Sequence, residues 1–397
     1  MSISKRVLME AIRMERFSDI YARYSERKLS CEEASDMLGC SVRHFHRLRC
    51  RYDESEGISS LRDRRVGKKS IHRAADFEVE MVTKLYNERY QGFSVKHFHE
   101  FLQQKHALHK SYSWAKNVLA REGLVIPTKR GGPHRLRRPR RPMSGMMLHQ
   151  DGSRHEWLPG FQCDLIVTLD DATSEIYSAF FVEEESTASS FRGIKEVIDK
   201  QGLFCSFYTD RGSHYFYTPE AGGKVDKSNL TQVGRALKQL NIRHIPAYSP
   251  QARGRSERMF GTLQNRLPKE LALEGITSVH EANRYLQEVY LSKHNKNFAV
   301  KPESDKSAFM PIVGFDIKNI LCIQEDRVVQ NDNTVRYDGK ILQITANEFR
   351  HHFVKVNVKV NEYPDGSMAL FYGHMCLGNY NANGSIIEQK QEKKFAA

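Results

Sequence analysis

The sequence predicts a multidomain chain with all-α modules first, a mixed α/β core in the middle and a small β-barrel last. Three observations predict it. Apolar residues recur at helical spacing as far as Glu122, whereas from Met146 short apolar strands alternate with helices. Beyond Lys301 the texture becomes short alternating runs separated by Asn331-Asp332-Asn333, Asp338-Gly339 and Pro364-Asp365-Gly366, which are hairpin turns. At 397 residues the chain is also longer than one core organises, since a domain takes about 150 residues. The expected divisions are 1–65 and 66–128 for two helical modules, 129–145 for a basic linker, 146–300 for the core, 301–385 for the barrel and 386–397 for a polar tail.

In the first module a helix over Val7 to Tyr24 precedes Ser30, an N-cap for the short helix Cys31 to Leu38. Gly39 turns the chain into a basic helix, Val42 to Tyr52, that carries Arg43, Arg47 and Arg51. Helix, glycine turn, basic helix is a helix-turn-helix signature, and those arginines are the expected DNA contacts. An ordinary helical hairpin with a solvated basic face is the competing account. The arrangement recurs in Asp76 to Tyr90, Ser94 to Lys105 and Ser111 to Glu122, with Ser113 and Lys116 on the second expected reading helix. The segment Lys129 to Pro142 is rich in arginine, proline and glycine and cannot form a core. Its Arg137, Arg138, Arg140 and Arg141 suit backbone phosphates or the minor groove, unless the linker is simply solvated.

The core should open with strands over Met146 to Asp151, Phe161 to Thr168 and Glu175 to Glu183, antiparallel, with Asp170-Asp171-Ala172-Thr173-Ser174 as a turn. A helix over Thr187 to Gln201, capped by Ser186, leads to a strand over Leu203 to Thr209. A helix over Asn229 to Leu240, a strand over Ile242 to Ala247 and a long helix over Gln251 to Leu273, kinked at Pro268, follow. His280 to His294 adds another helix. The barrel strands are expected at Ile320 to Gln324, Arg327 to Val329, Thr334 to Tyr337, Lys340 to Ile344, Phe353 to Val360 and Met368 to Tyr372, closed so that no edge is bare.

Composition narrows the function. Lysine and arginine number 61 against 48 acidic residues, a net charge of +13, which favours a polyanionic partner. No window approaches the roughly 20 apolar residues needed to span a bilayer, and the N-terminus lacks a secretory stretch, so a cytoplasmic protein with no membrane partner is expected. The seven scattered cysteines include no C-x-x-C pair. Cys40, His44, His46 and Cys50 carry zinc-ligand side chains, but on one helix they fall on opposite faces and cannot converge.

Three carboxylates carry the chemical hypothesis: Asp151 in His149-Gln150-Asp151-Gly152, Asp210 in Tyr208-Thr209-Asp210-Arg211-Gly212, and Glu257 in Ser249-Pro250-Gln251-Ala252-Arg253-Gly254-Arg255-Ser256-Glu257-Arg258. Transfer at a phosphodiester needs an activated nucleophile and a stabilised leaving oxygen. Two magnesium ions serve both needs, and hard cations take carboxylate oxygens. Asp151 and Asp210, each expected at a strand end, meet if those strands are neighbours, and Glu257 then reaches in from the first turns of its helix. Spacing alone is worthless here, since most Asp and Glu are solvated; the weight comes from the apolar strand before Asp210 and the Ser-Pro helix start before Glu257. Arg253, Arg255 and Arg258 are expected to hold phosphates, with Gln251 and Gln264 near bases or backbone. The alternative for all of them is a solvated helix face.

These elements resemble the DDE motif of bacterial insertion-sequence transposases of the retroviral integrase superfamily, within them the ISNCY group, over nearly the whole chain. The resemblance implies an RNase H-like catalytic core behind tandem helix-turn-helix modules, with a terminal barrel. It further implies binding of terminal inverted repeats, cleavage at the 3′ ends and joining to target DNA. Asp151, Asp210 and Glu257 would be catalytic residues and ligands of two Mg²⁺ or Mn²⁺ ions, in a homo-oligomer on double-stranded DNA associated with the bacterial nucleoid. Two departures stand. Asp210 and Glu257 are 47 positions apart, longer than in retroviral integrases, the excess falling in Tyr215 to Lys227, and the zinc module of those integrases is denied by the geometry above. The rivals are a catalytically inactive, sequence-specific DNA-binding regulator derived from a transposase, and a nuclease that cuts without joining.

Overall fold

The computed structural model describes residues 5–54, 57–62, 73–126, 138–220, 223–226, 228–248, 254–314, 316–345 and 350–387. The chain divides into two compact units, Met1–Val82 and Thr83–Ala397.

In the first unit α1 (Lys5–Ser25), α2 (Cys31–Leu38) and α3 (Val42–Glu54) enclose Phe17, Ile20, Ala34 and Phe45. Ser30 caps α2 reciprocally, its hydroxyl accepting from the Glu33 amide while the Glu33 carboxylate accepts from the Ser30 amide at 2.7 Å. Gly39 ends that helix at φ 67°, a left-handed conformation that glycine adopts without strain, and the chain re-enters α3 three residues later. The tight corner is therefore the helix-turn-helix expected from Gly39. A further helix, α4 (Asp76–Arg89), begins in this unit and ends in the next.

The second unit starts with α5 (Val95–Lys105) and α6 (Tyr112–Arg121), capped by Ser94 and Ser111. Tyr86, Tyr90, Phe93, Phe98 and Phe101 form an aromatic cluster at the base of α5, with ring centroids 5.2 to 5.9 Å apart. The opposite side of α5 packs on the core through charges. His97 Nε2 lies 2.8 Å from Glu270 Oε1, Arg266 donates to both oxygens of Glu100 at 2.7 and 3.0 Å, and Lys105 reaches Glu274 at 2.8 Å. Lys293 completes the buried pair at 2.8 Å from Glu270.

The core is a five-stranded sheet in the order β3-β2-β1-β4-β5, with β1 (Leu148–Leu158), β2 (Phe161–Asp170), β3 (Ile176–Val182), β4 (Ser206–Thr209) and β5 (Arg243–Pro246). The first three strands are antiparallel; β4 is parallel to β1 and β5 to β4. Helices α7 (Thr187–Gln201) and α8 (Gln232–Gln239) cover one face over Phe191, Ile194, Phe207, Val233 and Leu237. On the other face α9 (Gly254–Leu273) and α10 (Val279–Tyr285) lie over Trp157, Leu165, Val167 and Phe181. A π-helical turn, Leu286–Tyr290, joins α10 to α11 (Leu291–Phe298). Asn283, Gln287 and Asn295 hydrogen-bond the outer edge of β3, a helix-side cover that keeps this edge from pairing with another chain.

One boundary differs from expectation in a way that matters. The first strand does not end at Asp151 but runs on to Leu158, because the polar stretch Ser153 to Glu156 continues the antiparallel ladder with β2. Asp151 thus lies inside β1, at the level where the shorter β4 stops.

Beyond a four-residue helix, α12 (Ile317–Ile320), the C-terminal strands form two sheets over one core of Val335, Leu342, Phe353, Val358, Met368, Leu370 and Tyr380. The larger has the order β12-β11-β10-β9-β6, built from β6 (Ile323–Val328), β9 (Asn357–Glu362), β10 (Met368–Tyr372), β11 (Met375–Tyr380) and β12 (Ile386–Ile387). The smaller is the hairpin β7 (Thr334–Tyr337) with β8 (Lys340–Gln343). Among the described residues the pairing does not close into a barrel: β6 and β12 are the outer strands of an open order.

Candidate active site

The register of the sheet positions the first two carboxylates. His149 pairs with Tyr208 across the parallel β1–β4 ladder, their rings 4.9 Å apart. Asp151 and Asp210 each stand two residues further along. Side chains alternate along a strand, so Asp151 projects to the face on which His149 lies, and Asp210 follows directly on the end of β4. Asp151 also pairs with Val167, which faces α9. The Gly212 amide donates to Asp210 Oδ1 at 2.9 Å and fixes the turn that leaves β4.

Glu257 stands in the first turn of α9. Gln264, two turns on and hence on the same helix face, donates to Ser153 Oγ at 3.0 Å. Ser153 is two residues from Asp151 and shares its face of β1. The helix face bearing Glu257 is therefore docked along the strand face bearing Asp151. Glu257 itself is exposed, and among the described residues no three His, Cys, Asp or Glu side chains converge as a metal-holding group. The donor set nevertheless fits a hard divalent cation: oxygen donors of negative charge, one in β1 and buried at 7 % exposure, another just past the end of the neighbouring strand β4.

The start of α9 is fastened by a residue that the sequence reading treated as a turn former. Asp171, fully buried, accepts at Oδ1 from Arg138 at 2.5 Å, from His149 Nε2 at 2.8 Å and from Arg255, and at Oδ2 from the Arg141 amide at 2.8 Å. Arg255 further donates to the carbonyls of Asp171, Arg138 and Pro139. Burial, reinforced by the neighbouring Arg138 and Arg255 charges, pushes the His149 imidazole down to about 3, so it is a neutral donor to this hub. His149 is thereby placed in the scaffold beside Asp151.

The expected phosphate contacts divide accordingly. Arg43 and Arg47 are exposed on α3, Ser113 and Lys116 on α6, and Arg141 and Arg258 are also exposed. Four others have guanidinium groups hydrogen-bonded within the chain, to carbonyls and a carboxylate. Arg138 and Arg255 bind the Asp171 hub. Arg140 donates to the carbonyls of Asp171 and Ala172 and to Ser174, and Arg51 donates to the Ser60 and Arg62 carbonyls. Arg137, Arg253 and Gln251 lie outside the described residues. Asp170 fits the turn role expected of it, accepting from the Thr173 and Gly145 amides.

Residues 19–62 match the homeodomain-like domain family, over the corner that Gly39 makes. The transposase for insertion sequence IS1202 of Streptococcus pneumoniae is 25% identical over 410 residues, covering 93% of this chain and 86% of that protein. A protein of Sinorhizobium fredii (strain NBRC 101917 / NGR234), named as the transposase y4bF, is 30% identical over 354 residues, covering 88% of this chain and 77% of its own length. The chain belongs to the insertion-sequence transposases. The transposase also superposes on the integrase catalytic core domain of HTLV-2, solved in complex with magnesium, at 18% identity over 37% of this chain and 89% of that one, with a TM-score of 0.26. No helix among its described residues is long and apolar enough to cross a membrane.

The residues missed from sequence are those whose role depends on distant partners. Asp171 was hidden in a turn-forming Asp-Asp-Ala-Thr-Ser.

Proposed function

We propose that this transposase binds the terminal inverted repeats of its element, cleaves at the 3′ ends and joins them to target DNA, with Asp151, Asp210 and Glu257 as catalytic residues and cation ligands. The observation that supports the proposal is that Asp151 in β1 and Asp210 just past the end of β4 follow two residues after the paired His149 and Tyr208 of parallel neighbouring strands, with the helix bearing Glu257 docked on the Asp151 face of β1. Two Mg²⁺ or Mn²⁺ ions held there would sharpen the attacking oxygen and stabilise the leaving one. The chain's own contribution is to fix the two aspartates on a rigid sheet and to present Glu257 from the start of α9. The Asp171 hub holds that start in place from below. Arg43 and Arg47 on α3, and Ser113 and Lys116 on α6, are the proposed DNA contacts, with Arg141 and Arg258 nearer the carboxylates. Arg137 and Arg253 keep the phosphate role that their neighbours suggest.

The proposal extends to a homo-oligomer on DNA in the bacterial cytoplasm, associated with the nucleoid. The domain divisions at 65, 128, 145, 300 and 385, and a small barrel formed by the two C-terminal sheets, belong to the same reading. A second reading is a DNA-binding regulator that has lost catalysis; among the described residues no three His, Cys, Asp or Glu side chains form a metal-holding group.

Strand transfer on labelled element ends with Mg²⁺, wild type beside Asp210→Asn and Glu257→Gln, separates the two. Joined products that vanish in both variants, with end binding retained, support the transposase proposal. End binding by the wild type without cleavage favours the regulator.

A further inference from the structure

The neighbours of Asp151 in the chain, Gln150 and Gly152, project to the opposite face of β1, towards α7. Both are gripped there by residues that also control the turn after Asp210. Tyr215 is buried, and its hydroxyl is shared between Gln150 Oε1 at 2.8 Å and Glu185 Oε1 at 3.2 Å. The other oxygen, Glu185 Oε2, stands 2.5 Å from where a Cβ on Gly152 would lie, so only glycine admits the carboxylate there. His214 Nε2 lies 3.4 Å from Glu185 Oε1, an ion-pair distance without hydrogen-bond geometry. The His214 ring packs on Gly212, whose amide holds Asp210. The acceptor on Gln150 is itself held, because its amide nitrogen donates to Thr168 at 2.9 Å in the space that the missing side chain of Gly193 on α7 leaves for it.

We propose that Glu185 is a positioning residue: with Tyr215 and His214 it forms a bracket behind the sheet that sets the separation of Asp151 and Asp210. Glu185 enters from the loop before α7, far in sequence from both aspartates, and acts through hydrogen bonding and packing. The inference rests on the functional reading above, since it matters only if those aspartates share cations. A bracket of this kind fixes the spacing before any cation arrives, which removes a rearrangement from the binding step. Partners one layer behind metal ligands are commonly worth tenfold or more in affinity.

The test is titration of the full-length protein with Mn²⁺ alone, followed by the paramagnetic resonance signal of the free ion, alongside thermal unfolding and the kcat and KM of strand transfer. Glu185→Ala and Tyr215→Phe are expected to weaken Mn²⁺ binding about tenfold and to lower kcat while leaving KM for element ends unchanged. Glu185→Gln, whose amide oxygen still accepts from Tyr215, is expected to stay within about threefold of wild type, the rescue that a hydrogen-bond role requires. If Glu185→Ala does not fold, Tyr215→Phe carries the test. Wild-type Mn²⁺ affinity in Glu185→Ala or Tyr215→Phe overturns the bracket, and so does a Glu185→Gln as impaired as Glu185→Ala, which would make the charge itself the ligand. Asp210→Asn separates the two levels. If it binds Mn²⁺ as the wild type does, or if the wild type binds none, the functional reading fails and takes the bracket with it. If only Asp210→Asn loses the ion, the bracket alone fails.

Discussion

His97 Nε2 and Glu270 Oε1 lie 2.8 Å apart with side-chain exposures of 0% and 2%, although 173 positions separate them in the chain. A helix expected to belong to a separate DNA-reading module is thus joined to the core helix α9 by a buried hydrogen bond between an imidazole and a carboxylate. Lys293 and the Tyr285 hydroxyl converge on the second oxygen of Glu270, so the carboxylate is fully engaged. Removing it would strand Lys293 and His97 in an apolar layer. Glu270→Ala is expected to cost about 3 kcal/mol or more in denaturant unfolding, and a loss under about 1 kcal/mol would show that the cluster relaxes or hydrates freely.

Acid should destabilise the protein well before its carboxylates titrate. Burial lowers the His244 imidazole to about 3 and that of His294 to about 4, and lowers His97 as well. In the unfolded chain these rings charge near 6.5. Because the unfolded state then binds the extra protons, stability is present above about pH 6.5 and falls as pH drops towards 4, by up to roughly 1.4 kcal/mol per pH unit for each ring. Thermal unfolding between pH 7.5 and 5 should show a falling midpoint; a flat profile would contradict the buried, neutral state of these histidines.

Arginines of similar appearance in sequence should behave differently. Arg47→Ala on the exposed face of α3 is expected to weaken end binding and reduce the salt slope by about one phosphate contact, with stability unchanged. Arg255→Ala should instead lower the unfolding midpoint, since it opens the Asp171 hub. Equal effects on DNA affinity from both would count against that division.

Gly193→Ala probes the support behind Asp151. A methyl group there overlaps the Gln150 amide and comes within 3.1 Å of Thr168 Oγ1. The overlap is expected to cost about 1 to 3 kcal/mol and to lower strand transfer beyond what the lost stability explains. Unchanged stability and activity would mean that Gln150 has another place to go.

What was legible in sequence was local. The helix Thr187–Gln201 has the ends expected from its Ser186 cap and apolar spacing, and the corner at Gly39 follows from the only residue that takes its backbone angle easily. The strand that ends just before Asp210 was marked by its apolar residues. The length of β1 was not legible, because Gly152 to Glu156 looks like a loop until β2 is laid beside it. Nor were the roles of Arg138, Arg140 and Arg255. A basic run reads as phosphate contacts when the buried aspartate that collects it lies more than 30 positions away for the first two and 84 for the last. The docking of α5 on α9 was hidden for the same reason, its polar side-chain contacts spanning 166 to 173 positions.

On the proposed reading the two ends of α9 have separate duties, Glu257 at the first turn and the anchor of α5 at Glu270, about 20 Å further along at 1.5 Å per residue. One inserted or deleted residue between them would swing one duty by about 100° relative to the other. Divergence within this stretch is therefore confined to exchange of side chains at constant length, while the part of the β4–α8 loop beyond Tyr215 carries no such constraint from the bracket. Lineages of such elements should record their history there in insertions, and along α9 only in spelling.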